Sequence, residues 1–243
     1  MRKLWMLIVF LPSMCICAQE ENDFMADRPG ATTGTGVLPK GRIQWETGIG
    51  VEYSSIDSPS TTTWAINTSL LRFGITDYAE LRLQADGLYS KNEEESYGGL
   101  ANLCIGTKLH LYDGRKAIPK MSLLANLILP GGKGSHYLPE NIGGQIGLLF
   151  ENNLSSRISL GYEADLIWGD EEKPIVFWGA CLGLQLSDRF SLMVEEYNYN
   201  YIHTDCWMEI GAALMVSKKV QIDLATDLSL QYLKRYFTLS LLD

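Results

Sequence analysis

Residues Asn141–Trp168, NIGGQIGLLFENNLSSRISLGYEADLIW, decide how the chain folds. Ile142, Gly144, Ile146, Leu148 and Phe150 fall on one side of an extended backbone, and Asn141, Gly143, Gln145, Gly147 and Glu151 on the other, a period of two. After the turn residues Asn152, Asn153 and Ser155 the alternation resumes, with Ile158, Leu160, Tyr162, Ala164, Leu166 and Trp168 against Arg157, Ser159, Gly161, Glu163 and Asp165. The stretch predicts an antiparallel hairpin. Each arm of about ten residues, at roughly 3.3 Å per residue and a tilt near 40°, spans about 25 Å, the height of the apolar band on an outer-membrane barrel.

Outward from this hairpin the same pattern recurs. It predicts strands from Gly41 to Tyr53, Thr62 to Phe73, Glu80 to Asp86, Asn102 to Leu111 and Met121 to Leu129. Beyond the hairpin it predicts Ile175 to Leu186, Phe190 to Tyr199, Trp207 to Val216, Val220 to Leu228 and a last strand marked by Phe237, Leu239 and Leu241, twelve in all. In the second strand Trp64, Ile66, Thr68 and Leu70 face outward before Leu71 and Phe73 break the parity, which predicts a bulge near Leu70. Connections near 75–79, 112–118, 152–156, 187–189 and 217–219 are short, while the intervening ones are longer or more polar. Short turns at one end and longer loops at the other predict an all-β, closed antiparallel transmembrane barrel over residues 41–243. A soluble β-sandwich also alternates, but it gives no reason for one end of every hairpin to be tight.

A mean hydropathy of −0.02 suits such strands, because alternation averages to neutrality. No stretch beyond the N-terminus offers the roughly twenty uninterrupted apolar residues of a membrane helix. Arg2 and Lys3 before the apolar run Leu4–Leu11, with Ala18 at the cut, predict a secretory signal peptide over residues 1–18. Ile16 before Cys17 and Met14 before Cys15 argue against a lipoprotein site, and an uncleaved anchor is the alternative. Removing Arg2 and Lys3 takes the net charge from −9 to −11, a poor match for nucleic acid. Residues 19–40, rich in Gly, Thr and Pro and without period, predict an irregular periplasmic segment or plug. Cys104, Cys181 and Cys206 fit no zinc spacing, no cofactor motif stands out, and their odd number leaves at least one thiol unpaired.

Three further stretches are familiar together: Ala26-Asp27-Arg28-Pro29-Gly30, Gly41-Arg42-Ile43-Gln44-Trp45-Glu46-Thr47-Gly48 and Leu71-Arg72-Phe73-Gly74-Ile75-Thr76-Asp77-Tyr78-Ala79-Glu80-Leu81-Arg82. With Ile105-Gly106-Thr107-Lys108 and Leu129-Pro130-Gly131-Gly132, they resemble an outer-membrane barrel family named for a MetA pathway of phenol degradation and labelled "transporter". The resemblance implies a Gram-negative outer-membrane barrel that passes small hydrophobic or aromatic compounds. Its partners would be outer-membrane lipid, an unidentified small solute and, during biogenesis, the barrel-insertion machinery. One departure is that such barrels end on an aromatic residue, whereas this sequence closes on Leu241-Leu242-Asp243 with Phe237 the nearest outward aromatic.

The inward face is unusually charged. Arg42, Glu46, Glu52, Glu80, Arg82, Asp86, Lys108, Lys120, Arg157, Glu163, Asp165, Glu209, Asp223 and Asp227 all fall on it. Arg or Lys facing lipid at mid-height costs about 2–4 kcal/mol, which places these charges in a lumen. Arg42, Glu46, Arg82, Asp86, Lys108, Glu163, Asp165, Glu209, Asp223 and Asp227 are the candidate lumen-lining residues of a passive channel. Two other readings stay open: a binding or structural barrel filled by ion pairs, and a barrel-wall lipid hydrolase using Ser135-His136. Gly131-Gly132-Lys133-Gly134-Ser135 lacks the spacing of a phosphate loop and reads as an external loop.

Overall fold

The alternation folds into one curled antiparallel sheet. The computed structural model describes residues 13–16, 26–27, 29–54, 60–200 and 204–229, and among them there is no helix. A four-residue strand β1 (Ser13–Ile16) precedes β2 (Ile43–Ser54), β3 (Thr61–Thr76), β4 (Ala79–Lys91), β5 (Ser96–Tyr112) and β6 (Lys120–Ile128). There follow β7 (Gly143–Asn153), β8 (Ile158–Trp168), β9 (Ile175–Ser187), β10 (Phe190–Asn200), β11 (Thr204–Ser217) and β12 (Val220–Ser229). The eleven long strands pair in sequence order, so all those expected between Gly41 and Leu228 are present. The hairpin expected over Asn141–Trp168 is β7–β8, in register from Gly144↔Trp168 to Asn153↔Ser159. The edges β2 and β12 each pair with β1, through Met14↔Trp45 to Ile16↔Ile43 on one side and Ser13↔Gln221 and Met14↔Val220 on the other. That stretch falls within the expected signal peptide, and the expected strand around Phe237, Leu239 and Leu241 lies outside the described residues.

Besides irregularities next to the tight turns, two bulges within the strands sharpen the curl. The first is at Ile66, where Ala65 pairs with Leu88 and Asn67 with Gly87, so the expected position near Leu70 is corrected. Ile66 itself stays outward at 62% exposure, which is why the apolar parity looks unbroken past it. Beyond the bulge Thr68 and Leu70, expected outward, sit opposite the inward residues Asp86 and Gln84. The second falls in β5, where Ala101 pairs with Asp86 but Cys104 with Gln84. Here Asn102 takes φ 50° and donates through Nδ2 to Asp86 Oδ2 at 2.7 Å. Asn tolerates this left-handed conformation better than most side chains.

The polarity of the sheet is inverted relative to a water-soluble domain. Buried side chains include Gln44, Glu46, Arg72, Glu80, Lys108, Glu163, Asp165 and Glu195, whereas Leu71, Leu81, Leu83, Ile105, Ile146, Leu148 and Leu166 on the convex face are exposed. Aromatic residues mark both ends of that face: Trp45, Phe73 and Tyr112 near the tight turns, Tyr53, Trp64, Trp168 and Trp178 near the long loops. The Trp45 indole N–H donates to Ser69 Oγ at 3.2 Å.

Candidate functional site

The concave face is organised around Asp27, a residue of the N-terminal segment. Arg82 Nη1 lies 2.5 Å from Asp27 Oδ2, Lys108 Nζ 2.9 Å from Oδ1, and Arg72 Nη1 3.6 Å from Oδ2. Arg72 also donates from Nη1 to Glu46 Oε1 at 3.0 Å and from Nε and Nη2 to the Glu80 carboxylate at 2.9 and 2.8 Å. Arg82 reaches Glu80 Oε1 at 2.8 Å. Three cations therefore face three carboxylates in a buried cluster. Burial opposes ionisation of Asp27, but the charges of Arg72, Lys108 and Arg82 together outweigh it and hold this carboxyl far below the usual range.

From Asp27 the segment runs around the inside of the sheet. Its backbone groups, which have no strand partner, are satisfied by inward side chains. Glu195 on β10 accepts from Ala31 N at 3.0 Å, from Thr32 N at 2.6 Å and from the Thr32 hydroxyl. Glu163 on β8 accepts from Thr33 N, and Thr35 binds Glu151 Oε2 at 2.9 Å while its carbonyl accepts from Ser122 Oγ at 2.7 Å. Lys108 Nζ donates to Gly34 O, Arg72 Nη2 to Gly36 O, and Leu38 N to Glu80 Oε2 at 2.8 Å. The wall makes room where the strap passes closest: a Cβ on Gly74 would overlap the Pro39 carbonyl and come within 2.6 Å of Leu38 O. Val37 and Leu38 are buried in the lumen with it.

This strap separates two chambers, and Thr33 lines both. The chamber at the turn end, about 490 Å³, is lined by Glu151, Arg157, Ser191 and Gln221. The one at the loop end, about 620 Å³, is lined by Arg82, Gln145, Glu163 and Asp165 and, towards the mouth, by Tyr137, Phe177 and Tyr199. The 129–142 loop is drawn over that mouth by Tyr137, whose hydroxyl donates to Ser90 Oγ at 2.8 Å. Its other end is tied to Asp170, which accepts from Glu140 N at 2.5 Å and Asn141 N at 2.9 Å. Those hydrogen bonds hold the exposed Asp170 carboxyl below its ordinary range.

Of the candidate residues, Glu46, Arg82 and Lys108 join the Asp27 cluster, and Asp86 holds Ser69 N and Asn102. Glu163 and Asp165 sit together in the loop-end chamber, Asp227 accepts from the Tyr197 hydroxyl at 2.9 Å, and Glu209 and half-buried Asp223 lie on β11 and β12. Arg42 is half-buried in the turn before β2, where its N–H donates to Pro39 O at 3.0 Å. Ser135 Oγ accepts from Leu138 N, and His136 stacks on Tyr97 with centroids 4.2 Å apart. The three cysteines are free thiols. The central residues that sequence reasoning left out are Asp27, Arg72 and Glu195. Arg72 was readable between outward Leu71 and Phe73, whereas nothing in the period-free segment marks Asp27.

A family model described as "Putative MetA-pathway of phenol degradation" matches residues 26–232, a span that holds the strap and all eleven long strands. No curated protein matches the chain.

Proposed function

The chain belongs to that phenol-degradation family, and from this membership we propose an outer-membrane barrel that passes small hydrophobic or aromatic solutes passively, with the N-terminal strap restricting its bore. The observation that carries the reading is the inverted polarity: a sheet with charges on its concave face and exposed Leu, Ile and Trp on its convex face is matched to lipid outside and water inside. Closure of the barrel belongs to the same proposal. Its support is that Ser13–Ile16 pairs with both β12 and β2.

Uptake tests the function. A Gram-negative host lacking its own pores and expressing this chain should take up a radiolabelled small aromatic compound faster than the empty host at low external concentration. Equal rates sink the transport reading. Changing Ser135 and His136 to alanine should leave that rate unchanged; its loss together with a lipid-hydrolysing activity would favour the hydrolase instead.

The membrane assignment has its own test. Leu148 sits at mid-height on β7, facing outward at 43% exposure. Leu148→Arg should lower unfolding free energy in lipid vesicles by about 2–4 kcal/mol, as for an arginine at the bilayer midplane. A cost within about 0.5 kcal/mol, as at an ordinary solvated surface, would place this face in water.

A further inference from the structure

We infer that the loop-end chamber is a binding site for a small organic cation carrying an aromatic ring, a deepening of the channel reading above, on which it rests. Two independent features converge there. The first is negative charge without a counterion. Among the described residues, Glu163 and Asp165 enter no ion pair, and Arg82, the cation lining the same chamber, is already committed to Asp27 and Glu80. Asp165 is 2% exposed, and its Oδ2 accepts from Gln145 Nε2 at 2.5 Å. Two buried carboxyls side by side with no cation between them are costly to ionise together, a cost that an incoming ammonium group would relieve.

The second feature is the ring-lined mouth. Phe177 and Tyr199 lie 4.9 Å apart between centroids on one side, and across from them Tyr137 packs on Tyr97 at 5.6 Å. Tyr199, Phe177, Glu163 and Asp165 line the same chamber, so one small ligand can meet rings and carboxylates together. Ring faces attract cations and stack on arenes, whereas carboxylates repel anions and gain nothing from an uncharged ring. A cavity of about 620 Å³ falls in the size range of small-molecule sites. The strap closes it below, through Ala31 and Thr33, so a ligand entering from the loop side stops at the carboxylates.

The test titrates the purified mature protein in detergent with benzylammonium, benzyl alcohol and benzoate, by calorimetry. The cation should bind at least about tenfold more tightly than the neutral compound, the discrimination that interactions with a buried charge supply, and benzoate more weakly than either. Asp165→Asn and, separately, Glu163→Gln should each remove most of the cation's advantage while leaving benzyl alcohol unchanged. Tyr199→Ala should weaken the cation and the alcohol alike. Retained heat-modifiable gel migration shows that each variant is folded, and a pair of isosteric substitutions guards against one failing to assemble. Equal binding of cation and alcohol by the parent, or full cation affinity in both carboxylate variants, overturns the inference. Uptake of a neutral aromatic compound by cells is read in parallel: if it persists while cation binding is absent, the channel reading stands and only this site falls.

Discussion

Replacing Arg72 with leucine is expected to cost the folded sheet about 3–5 kcal/mol, the range for removing one partner of a buried ion pair. The guanidinium is fully buried, and its donors reach Glu46, Glu80 and Gly36 O at 2.8–3.0 Å. Leucine would leave Glu46 without its closest cation. Glu46 would keep only the Gln44 amide at 2.8 Å and the Asp27 N–H, which satisfy hydrogen bonds without neutralising charge. The loss should appear as a lower denaturant midpoint for the heat-modifiable form. Adding Glu46→Gln to Arg72→Leu should restore part of it, because the second change removes the charge that the first strands, a non-additivity expected of partners in contact. A single-variant cost under about 1 kcal/mol, typical of exposed pairs, would mean that water reaches this cluster.

The strands were legible because the convex face is apolar and the concave face polar, so character alternates between adjacent residues. Each outward position in β7 and β8 had to be apolar and each inward one was free to be polar, so Ile146, Leu148 and Leu166 against Gln145, Glu163 and Asp165 could be read without any partner strand. Register and bulges were less legible. Ile66 is apolar and remains outward at the bulge, so local parity carries no mark of the extra residue; only pairing with Leu88 and Gly87 reveals it. Glu195 and Glu196 pose a similar problem. Neighbouring glutamates on one strand must face opposite ways, and it is contact with Ala31 and Thr32 that distinguishes buried Glu195 from exposed Glu196.

The interior strap lay beyond pattern reading altogether. Its backbone is held by carboxylates far along the chain, Glu163 and Glu195 among them, and such contacts leave no period in the segment itself. Composition gave only its irregularity. What the inward list did contain was a surplus of acids on the later strands, and one of them, Glu163, now has an assignment: it accepts from Thr33, as Glu151 and Glu195, which that list did not contain, accept from Thr35 and Thr32. Acids that looked like solute-selecting charge are in part the seats of the strap.

Asp27→Ala is expected to open the bore. Asp27 lies at one end of the strap, whose other end continues through Lys40 into β2, so the Asp27 contacts oppose its release from the wall. Without the carboxylate, Arg82 and Lys108 lose their nearest anion at 2.5 and 2.9 Å, leaving Glu46 and Glu80 to balance three buried cations. The docked state should lose about 3–5 kcal/mol, the same order as for Arg72. The outcome differs because the strap can leave whereas a wall residue cannot: undocking hydrates the cations and need not unpair any strand. Single-channel conductance should therefore rise, and amides 31–38 should exchange faster, with little change in the denaturant midpoint of the sheet. Acid should act in the same direction on the parent. The Asp27 carboxyl is depressed in the folded chain, so its stabilising contribution is complete above about pH 4, the ordinary range for aspartate, and declines as pH falls below it. The parent should gain conductance on acidification below that point, and Asp27→Ala, already open, should gain less. Unchanged conductance in the variant, with amides 31–38 protected as in the parent, would show that the Thr32, Thr33 and Leu38 contacts hold the strap without Asp27.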